Sequence, residues 1–284
     1  MRWRKLGIIA GGGELPLAIA EHCAAVGAPY FVARVSPFAD EALAAHPGAV
    51  HDLGAMGARI AALKQAGCDA LVFVGQAPRP DFSALRLDEA GQAMAPALIG
   101  AAGRGDDALL RALLEAHAAH GFSIIGAEDV FADLLAPPGV LGVHAPGDAD
   151  RRDIALAAKV AAALGALDVG QAAVACAGLT LGVEAQEGTD NLLRRIATLP
   201  EVLRGAAGAR RGVLVKRPKP IQERRVDLPV VGVRTIERAC AAGLAGIAVE
   251  AGAVLLVRRQ AIIEAADAAG LFVFGFVGAD IGET

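Results

Sequence analysis

This sequence is poor in cysteine, in aromatic residues and in net charge. Its 284 residues include only four cysteines, and aromatic side chains make up 4% of the chain. The cysteines form no C-x-x-C pair and no zinc spacing, so we expect reduced and mostly buried thiols in a reducing compartment. They are Cys23, Cys68, Cys176 and Cys240. The net charge of −4 gives no reason to expect nucleic acid as a partner.

Long apolar runs are also missing. The best candidate, residues 169–183, is uncharged but contains Gln171 and several glycines, and it is shorter than the roughly 18–20 apolar residues of a membrane span. The basic start of the chain leads into a short apolar run and then a glycine-rich turn, which is typical of a first strand and not of a signal peptide. We therefore expect a cytoplasmic protein without a membrane span, which leaves contact with a membrane surface open.

The residues that are present favour an α/β fold. Hydrophobic residues make up 55% of the chain, with 35 glycines. In the first half, apolar strands alternate with helices of 10–15 residues, which indicates βαβ units and a parallel sheet. Strands are predicted at 6–10, 29–33, 70–74 and 122–125, and helices at 14–26, 56–66 and 107–120. In the second half, short apolar runs and predicted hairpins at 176–178 and 250–252 indicate a mixed sheet.

We therefore predict a Rossmann-like parallel-sheet domain over residues 1–138. A turn-rich linker follows at 139–147, where Pro and Gly are frequent. A C-terminal catalytic α/β domain with a mixed sheet covers 148–284.

A glycine-rich turn follows the first predicted strand. Gly11, Gly12 and Gly13 open a helix whose N-terminus could receive a phosphate, because the backbone can approach closely there. The dinucleotide fingerprint is incomplete, since Pro16 replaces its third glycine and the second strand leads to Arg34 instead of an acidic residue. An NADP-dependent oxidoreductase therefore stays open as an alternative, as does a tight turn without a ligand.

Three further segments carry candidate site residues. Gly75 and Gln76 follow a strand at the carboxyl edge of the sheet, where α/β proteins bind ligands, and Gln76 suits a uracil or a sugar hydroxyl. The acidic turn, in which Glu184, Glu187 and Asp190 concentrate negative charge, suits Mg²⁺. Thr189 or Asp190 could also simply cap a helix.

The third segment is basic and rich in proline. Lys216 and Lys219 are suited to stabilising charge on a phosphoryl group, and Gln222 lies in the same loop. Asp227 lies in an otherwise apolar stretch, where a carboxylate is costly to bury. We expect Asp227 to bind Mg²⁺ or to orient a water molecule, and we expect these groups to converge on one pocket near the N-terminal glycines.

Four segments in this order resemble the LpxI family, the UDP-2,3-diacylglucosamine pyrophosphatases of lipid A synthesis. They are GIIAGGGELP at 7–16, EGTD at 187–190, KRPKPIQ at 216–222 with DLP at 227–229, and GLAGIAVEAG at 243–252. The resemblance covers essentially the whole chain. It implies a Gram-negative enzyme that hydrolyses UDP-diacylglucosamine to UMP and lipid X with Mg²⁺. It also implies a homodimer.

The resemblance assigns site residues as well. The essential aspartate of the family falls on Asp227, and Gly12, Thr189, Lys216, Lys219 and Gln222 are implied to line the phosphates and the sugar. Glu223 stands where the family is expected to favour Asp, so we do not assign it as a metal ligand.

Two acyl chains require a large apolar surface. Candidates for it are Leu134, Leu135, Val140, Leu141 and Phe272–Phe276. An enzyme acting on such a lipid is expected to contact the inner membrane peripherally. A non-catalytic protein that binds a nucleotide sugar or a lipid is the remaining alternative.

Overall fold

The computed structural model describes residues 3–220 and 223–283, and it divides into two compact units. Unit 1 contains the chain up to Ala132 together with Glu223–Asp227. Unit 2 contains the chain from Asp133 to the basic loop and again from Leu228 onward. A five-residue piece of the second half of the sequence therefore belongs to the N-terminal unit.

Unit 1 is built on a five-stranded parallel sheet with the order β3-β2-β1-β4-β5. Its strands are β1 (Leu6–Ala10), β2 (Tyr30–Ser36), β3 (Gly48–Asp52), β4 (Ala70–Val74) and β5 (Ser123–Ile124). The strand order reverses direction beside β1, as in Rossmann-type sheets, which place ligands at the carboxyl ends of the strands there. The parallel, Rossmann-like sheet that the sequence predicted is thus confirmed.

The helices of unit 1 connect these strands. They are α1 (Glu14–Ala25), α2 (Met56–Gln65), α3 (Glu89–Ala102), α4 (Asp106–Ala118) and α5 (Ala127–Val130), with a 3-10 helix at Glu41–Ala45. Strand β3 and helix α3 were not predicted. The strand is only partly buried, so it has no buried apolar run. Helix α3 contains Pro96 and two glycines, which count against a helix in a sequence.

Unit 2 contains a mixed six-stranded sheet with the order β6-β13-β11-β9-β7-β8. Its strands are β6 (Gly139–Leu141), β7 (Ala172–Cys176), β8 (Leu179–Val183), β9 (Val213–Lys216), β11 (Gly246–Glu250) and β13 (Phe272–Phe276). A separate parallel pair consists of β10 (Val230–Val231) and β12 (Leu255–Leu256). The predicted mixed sheet is confirmed, since β9, β11 and β13 are parallel while β6, β7 and β8 are antiparallel to their neighbours.

Four α-helices connect strands of unit 2 along the chain. They are α6 (Asp148–Ala166), α7 (Gly188–Ala197), α9 (Val233–Ala241) and α10 (Arg259–Ala269), with 3-10 helices at Ala132–Leu134 and Gly278–Ile281. The short helix α8 (Arg224–Asp227) lies between α7 and α9 in sequence but belongs to unit 1. Among the residues described, no helix combines the length and the apolar character needed to cross a bilayer.

Of three expectations about unit 2, two differ from the structure and one agrees with it. The residues expected to form a linker, 139–147, include β6, which pairs with β13 because its backbone completes the edge of that sheet. The hairpin at 176–178 is present. The hairpin predicted at 250–252 is wrong, because β11 is already paired on both sides with β9 and β13.

The apolar surface proposed for the acyl chains is also wrong for most of its residues. Leu134 and Leu141 are 1% and 6% exposed, and the phenylalanines of β13 are 1–4% exposed. Strand β13 lies inside the sheet between β6 and β11. Its two faces pack into two different core clusters, since Val273 belongs to one and the phenylalanines belong to the other. These residues form the core of unit 2 and are not an open binding surface.

A buried histidine forms part of the core of unit 1. His117 on α4 is fully buried, and its Nδ1 donates to the carbonyl of Leu113 at 2.8 Å. Its ring stands edge-on to Phe73, with 5.0 Å between the ring centroids. Burial lowers the pKa of His117 to about 4. His117 is therefore a packed residue of the core of unit 1.

The lowered pKa predicts a loss of stability in acid that depends on His117. The folded state binds this proton less readily than the unfolded chain, so the stability due to the neutral ring is complete above about pH 6.5 and falls as the pH approaches 4. Relative to pH 7, this group should cost about 2 kcal/mol of unfolding free energy at pH 5. Urea unfolding of His117→Leu should show a correspondingly weaker pH dependence than the wild type, whereas the exposed His120→Gln should not. Equal pH dependence in all three proteins would contradict the assignment.

Candidate active site

Two turns meet at the carboxyl edge of the sheet in unit 1. The backbone N–H of Gly12 donates to the carbonyl of Gln76, and the N–H of Gln76 donates to the carbonyl of Gly12, both at 2.8 Å. A Cβ on Gly11 would lie 2.6 Å from the Gln76 carbonyl oxygen, and one on Gly75 would lie 2.7 Å from the Gly12 carbonyl oxygen. Gly11 and Gly75 are therefore required by the approach of two backbones. This gives them a structural role whether or not they also contact a phosphate.

Gly13 differs from its two neighbours. It precedes α1 with a φ of +90° and has open space around the position of a Cβ. A positive φ favours glycine at this position. Its exposed backbone, at the start of a 12-residue helix, is compatible with the phosphate contact that the sequence predicted.

A cavity of about 410 Å³ opens beside these turns, within unit 1. Its walls come from the ends of β1, β2 and β4, from α2, α3 and α4, and from α8. Nearly all of the lining side chains among the described residues are apolar, and the polar exceptions there are Arg59, Gln76 and Asp227. A concave site of this size, with apolar walls and a few polar groups, is typical of a ligand pocket.

The segment that carries Asp227 is attached to unit 1 by a network of charges. The N–H of Glu223 donates to the carboxylate of Asp107 at 2.7 Å, and the Glu223 carboxylate accepts two bonds of 2.9 Å from Arg225. Arg111 links the two carboxylates, at 2.6 Å from Asp107 and 3.5 Å from Glu223. The bonds from Arg225 hold the pKa of Glu223 below its usual value. Glu223 is thus an anchoring residue, which fits its exclusion as a metal ligand.

This attachment places α8 against the cavity. Val226 and Asp227 both line it, together with Gly11, Gly75 and Gln76. The three glycine-edge residues and the two residues of α8 lie at least 150 positions apart in sequence, and they share one site. The expectation that Asp227 lies near the N-terminal glycines agrees with this arrangement.

The two predicted lysines lie in unit 2, and both have polar partners there. Lys216 ends β9 and is 5% exposed, and its Nζ donates to the carbonyl of Val230 at 3.0 Å. The Nζ of Lys219 lies 2.8 Å from the carboxylate of Asp168. Gln222 is outside the residues that the structure describes. The catalytic roles of the two lysines stay predictions.

The acidic turn also lies in unit 2. Glu187 pairs with Arg195 and Asp190 pairs with Arg234, both at 2.8 Å. A hydrogen bond from its own N–H, followed by the bond from Arg195, lowers the pKa of Glu187. Over the described ranges, no group of three or more His, Cys, Asp or Glu side chains is arranged to hold a metal ion.

The capping role considered for this turn is wrong. Helix α7 begins at Gly188, so Thr189 and Asp190 lie inside its first turn. The hydroxyl of Thr189 donates to the buried carboxylate of Glu184 at 2.7 Å. Gly188, the first residue of this helix, has a positive φ of +75°.

Sequence reasoning did not identify Arg59 or the apolar walls of the cavity. Arg59 is 2% exposed and lines the cavity. The signal for it was a spacing: with Met56, Ile60 and Leu63 it occupies positions i, i+3, i+4 and i+7, which form one face of a helix. A charged residue on an otherwise apolar helix face indicates a buried polar group.

These features define a class of protein: a two-unit α/β enzyme with a Rossmann-like unit, whose ligand cavity lies at the carboxyl edge of the sheet and carries an aspartate from the second half of the chain. The model of the LpxI N-terminal domain matches residues 5–134, and the model of the LpxI C-terminal domain matches residues 137–274. The chain belongs to the LpxI family.

A curated relative gives the same result. The chain is 53% identical over 272 residues to the UDP-2,3-diacylglucosamine pyrophosphatase LpxI of Caulobacter vibrioides, and the match covers 96% of this chain and 97% of the relative. The chain is a hydrolase that acts on a phosphoanhydride. The alternatives of an NADP-dependent oxidoreductase and of a non-catalytic binding protein are therefore not supported.

The approach of the two turns predicts that Gly75→Ala destabilises unit 1. The new methyl group would meet the Gly12 carbonyl in a backbone with φ of +91°, so we expect a loss of about 2 kcal/mol or more in unfolding free energy. Chemical denaturation measures it. Gly100→Ala is the matched control, since its Cβ position on α3 is open and alanine favours a helix. Equal stability of the Gly75→Ala protein and the wild type would contradict the close approach.

Proposed function

We propose that this protein hydrolyses the pyrophosphate bond of UDP-2,3-diacylglucosamine to give UMP and 2,3-diacylglucosamine 1-phosphate (lipid X), a step of lipid A synthesis. The observation that carries the proposal is the cavity of unit 1, where apolar walls, a glycine-rich edge and Asp227 occur together. The named activity of the Caulobacter vibrioides relative supports the same substrate.

The apolar walls suit the acyl part of such a substrate. Side chains from three helices, among them Leu98, Leu113 and Val226, line the cavity. Each methylene group that leaves water for an apolar environment contributes about 0.8 kcal/mol. A cavity of about 410 Å³ therefore provides much of the affinity for a lipid substrate, whereas a purely polar nucleotide sugar would gain little from it.

The polar edge of the cavity suits the reacting part of the substrate. Gly11, Gly75 and Gln76 lie at the carboxyl ends of β1 and β4, where a Rossmann-type sheet binds a nucleotide. In the proposed reaction, Asp227 holds a metal ion or accepts a hydrogen bond from the attacking water. We also propose that Lys216 and Lys219 offset charge in the transition state. In the structure both lysines have polar partners within unit 2.

We propose Mg²⁺ as the cofactor. The carboxylates of the candidate site fit one kind of Mg²⁺ site, in which the protein supplies few of the ligands. Mg²⁺ is commonly held by one or two carboxylates, with the remaining ligands supplied by water and substrate phosphates. Asp227 at the cavity fits such a site. Glu187 and Asp190 fit less well, because each is engaged by an arginine at 2.8 Å. When bound, the ion would neutralise charge on the pyrophosphate.

Peripheral contact with the inner membrane and a homodimer also remain part of the proposal. In the loop between α7 and β9, residues 198–212, Val202 is 77% exposed and Leu203 is 40% exposed. It contains three arginines and one glutamate. The arginines bind carbonyl groups: Arg204 donates to Leu199 at 2.8 Å, and Arg211 donates to Glu201 at 3.2 Å. A loop held in shape by arginines around exposed apolar side chains suits the surface of an anionic bilayer.

The role of Asp227 predicts the behaviour of Asp227→Ala. We expect turnover of UDP-2,3-diacylglucosamine to fall at least about a hundredfold, as for the loss of a group that acts on the reacting water or metal, while substrate still binds through the apolar walls. UMP release at several Mg²⁺ concentrations and equilibrium binding measure the two effects. Glu89→Ala, an exposed carboxylate at the start of α3, is the control and should retain activity. Turnover near that of the wild type in Asp227→Ala would contradict the assigned role.

The arginine-rich loop predicts a change in membrane binding. Val202→Glu should reduce cosedimentation with vesicles containing phosphatidylglycerol by about fivefold or more, since it places a charge where an apolar side chain enters the interface. Val143→Glu adds the same charge to another exposed valine of unit 2, 78% exposed, and should leave binding unchanged. Equal loss in both variants would indicate a general charge effect and would reject this loop as the contact.

A further inference from the structure

A second cavity lies at the other edge of the sheet in unit 1. It has a volume of about 430 Å³, and its lining includes Trp3, which precedes β1, and Ala28, which precedes β2. It therefore lies at the amino ends of these strands. The end of α1 and helix α5 complete its walls. No described residue lines both this cavity and the one that contains Asp227, so the two are separate places in the same unit.

The fixed charges in the lining of this second cavity are negative. Glu128 and Asp129 of α5 line it, and no lysine or arginine among the described residues does so. One oxygen of Asp129 accepts from the N–H of Gly126 at 3.1 Å, which fixes the position of that carboxylate. The end of α1 adds to the same sign, because the C-terminus of a helix is the negative end of its dipole. The cavity therefore favours a cation.

The carboxylate of Glu128 is under the greatest electrostatic constraint in this cavity. Burial raises the pKa of Glu128 above its usual value, and the charge of Asp129 acts in the same direction. The N–H of Glu128 itself and the charge of Arg224 oppose this shift, but Arg224 belongs to α8 and does not line the cavity. A cation bound beside Glu128 would offset the cost of holding this charge away from water.

Two aromatic side chains share the lining with these carboxylates. They are Trp3 and His22. The ring of His22 stacks on Phe131, with 4.0 Å between the centroids and 10° between the planes, so its position is fixed. An aromatic face attracts an ammonium group through the electrons of the ring. The other lining side chains provide apolar contact, and they are Cys23, Val26, Ala28 and Val130.

These groups together suit one class of ligand. An anion would meet two carboxylates, and a neutral apolar molecule would leave those carboxylates without a partner. A metal ion is not favoured, since no group of three or more ligating side chains occurs over the described residues. An organic ammonium ion uses the carboxylates, the rings and the apolar contacts at once. The volume of the cavity is also in the range of small-molecule sites.

We propose that this second cavity is a binding site for a small organic ammonium ion, whose charge is bound by Glu128 and Asp129 and whose apolar body contacts Trp3 and the end of α1. The inference is independent of the proposed hydrolysis, because it uses neither Asp227 nor the cavity at the carboxyl edge of the sheet. It gives unit 1 a second ligand, of opposite charge to a nucleotide sugar.

The experiment compares three ligands of similar shape and different charge. Phenethylamine, phenethyl alcohol and hydrocinnamate are titrated into the full-length protein, and calorimetry measures the affinity of each. Fluorescence reports the position, because Trp3 is the single tryptophan of the chain. The amine should change the emission of Trp3 and bind about tenfold more tightly than the alcohol, as expected for carboxylate and ring contacts with an ammonium group. Hydrocinnamate should bind least.

Three variants locate the charge that is responsible. Glu128→Gln keeps the size of the side chain and removes its charge, so the amine should lose most of its tenfold advantage while the alcohol binds as before. Glu115→Gln, which alters an exposed carboxylate on α4 of the same unit, is the matched control and should keep the preference. Asp227→Ala changes the other cavity and should also keep it.

Two results would overturn the inference without any dependence on the folding of a variant. One is equal affinity of the wild type for the amine and the alcohol. The other is amine binding that does not saturate at about 10 mM. An amine preference that is lost in Asp227→Ala and kept in Glu128→Gln would place the ligand in the other cavity and would also reject this site. None of these results bears on the proposed hydrolysis.

Discussion

The mutual approach of the turns after β1 and β4 is the constraint on which the site depends. Two backbone hydrogen bonds of 2.8 Å join Gly12 and Gln76, and the neighbouring glycines leave room for no side chain between the strands. Because the turns are bound to each other, the carboxyl ends of the central strands form a fixed edge. The cavity opens at this edge, where the strand order reverses and a Rossmann-type sheet has space for a ligand.

A second attachment gives this edge its candidate catalytic group. The network of Asp107, Arg111, Glu223 and Arg225 binds helix α8 to unit 1, although the residues before and after it belong to unit 2. The two carboxylates are partly buried, while the two arginines are exposed. A network in which each carboxylate has several partners fixes geometry better than one exposed pair. The position of Asp227 is thus set by neighbours that are themselves not candidates for catalysis.

The charged side chains in the cavity wall differ from those first expected of an enzyme that binds phosphate groups. Among the described residues, Arg59 is the cation that lines the cavity, and it donates to carbonyl groups. Apart from Gln76 and Asp227, the other described side chains of the wall are apolar. Lys216 and Lys219 have partners within unit 2. This cavity is therefore suited to the lipid part of a substrate, with the polar chemistry limited to its glycine-rich edge and Asp227.

The fold class, most strand positions and the candidate residues could be predicted from the sequence, because strand and helix periodicity, glycine runs and a carboxylate in an apolar stretch are local signals. The sequence did not determine β3 and α3, whose local signals are weak, nor the pairing of β11, which depends on strands distant in sequence. Three features could be seen in the structure alone. Asp227 lies at a cavity with the N-terminal glycines, and Phe272–Phe276 belongs to the core. Arg59 is buried, and its Nε has no hydrogen-bond partner among the described residues. The reason is physical: burial and partner choice are set by contacts between distant segments, which no local pattern contains.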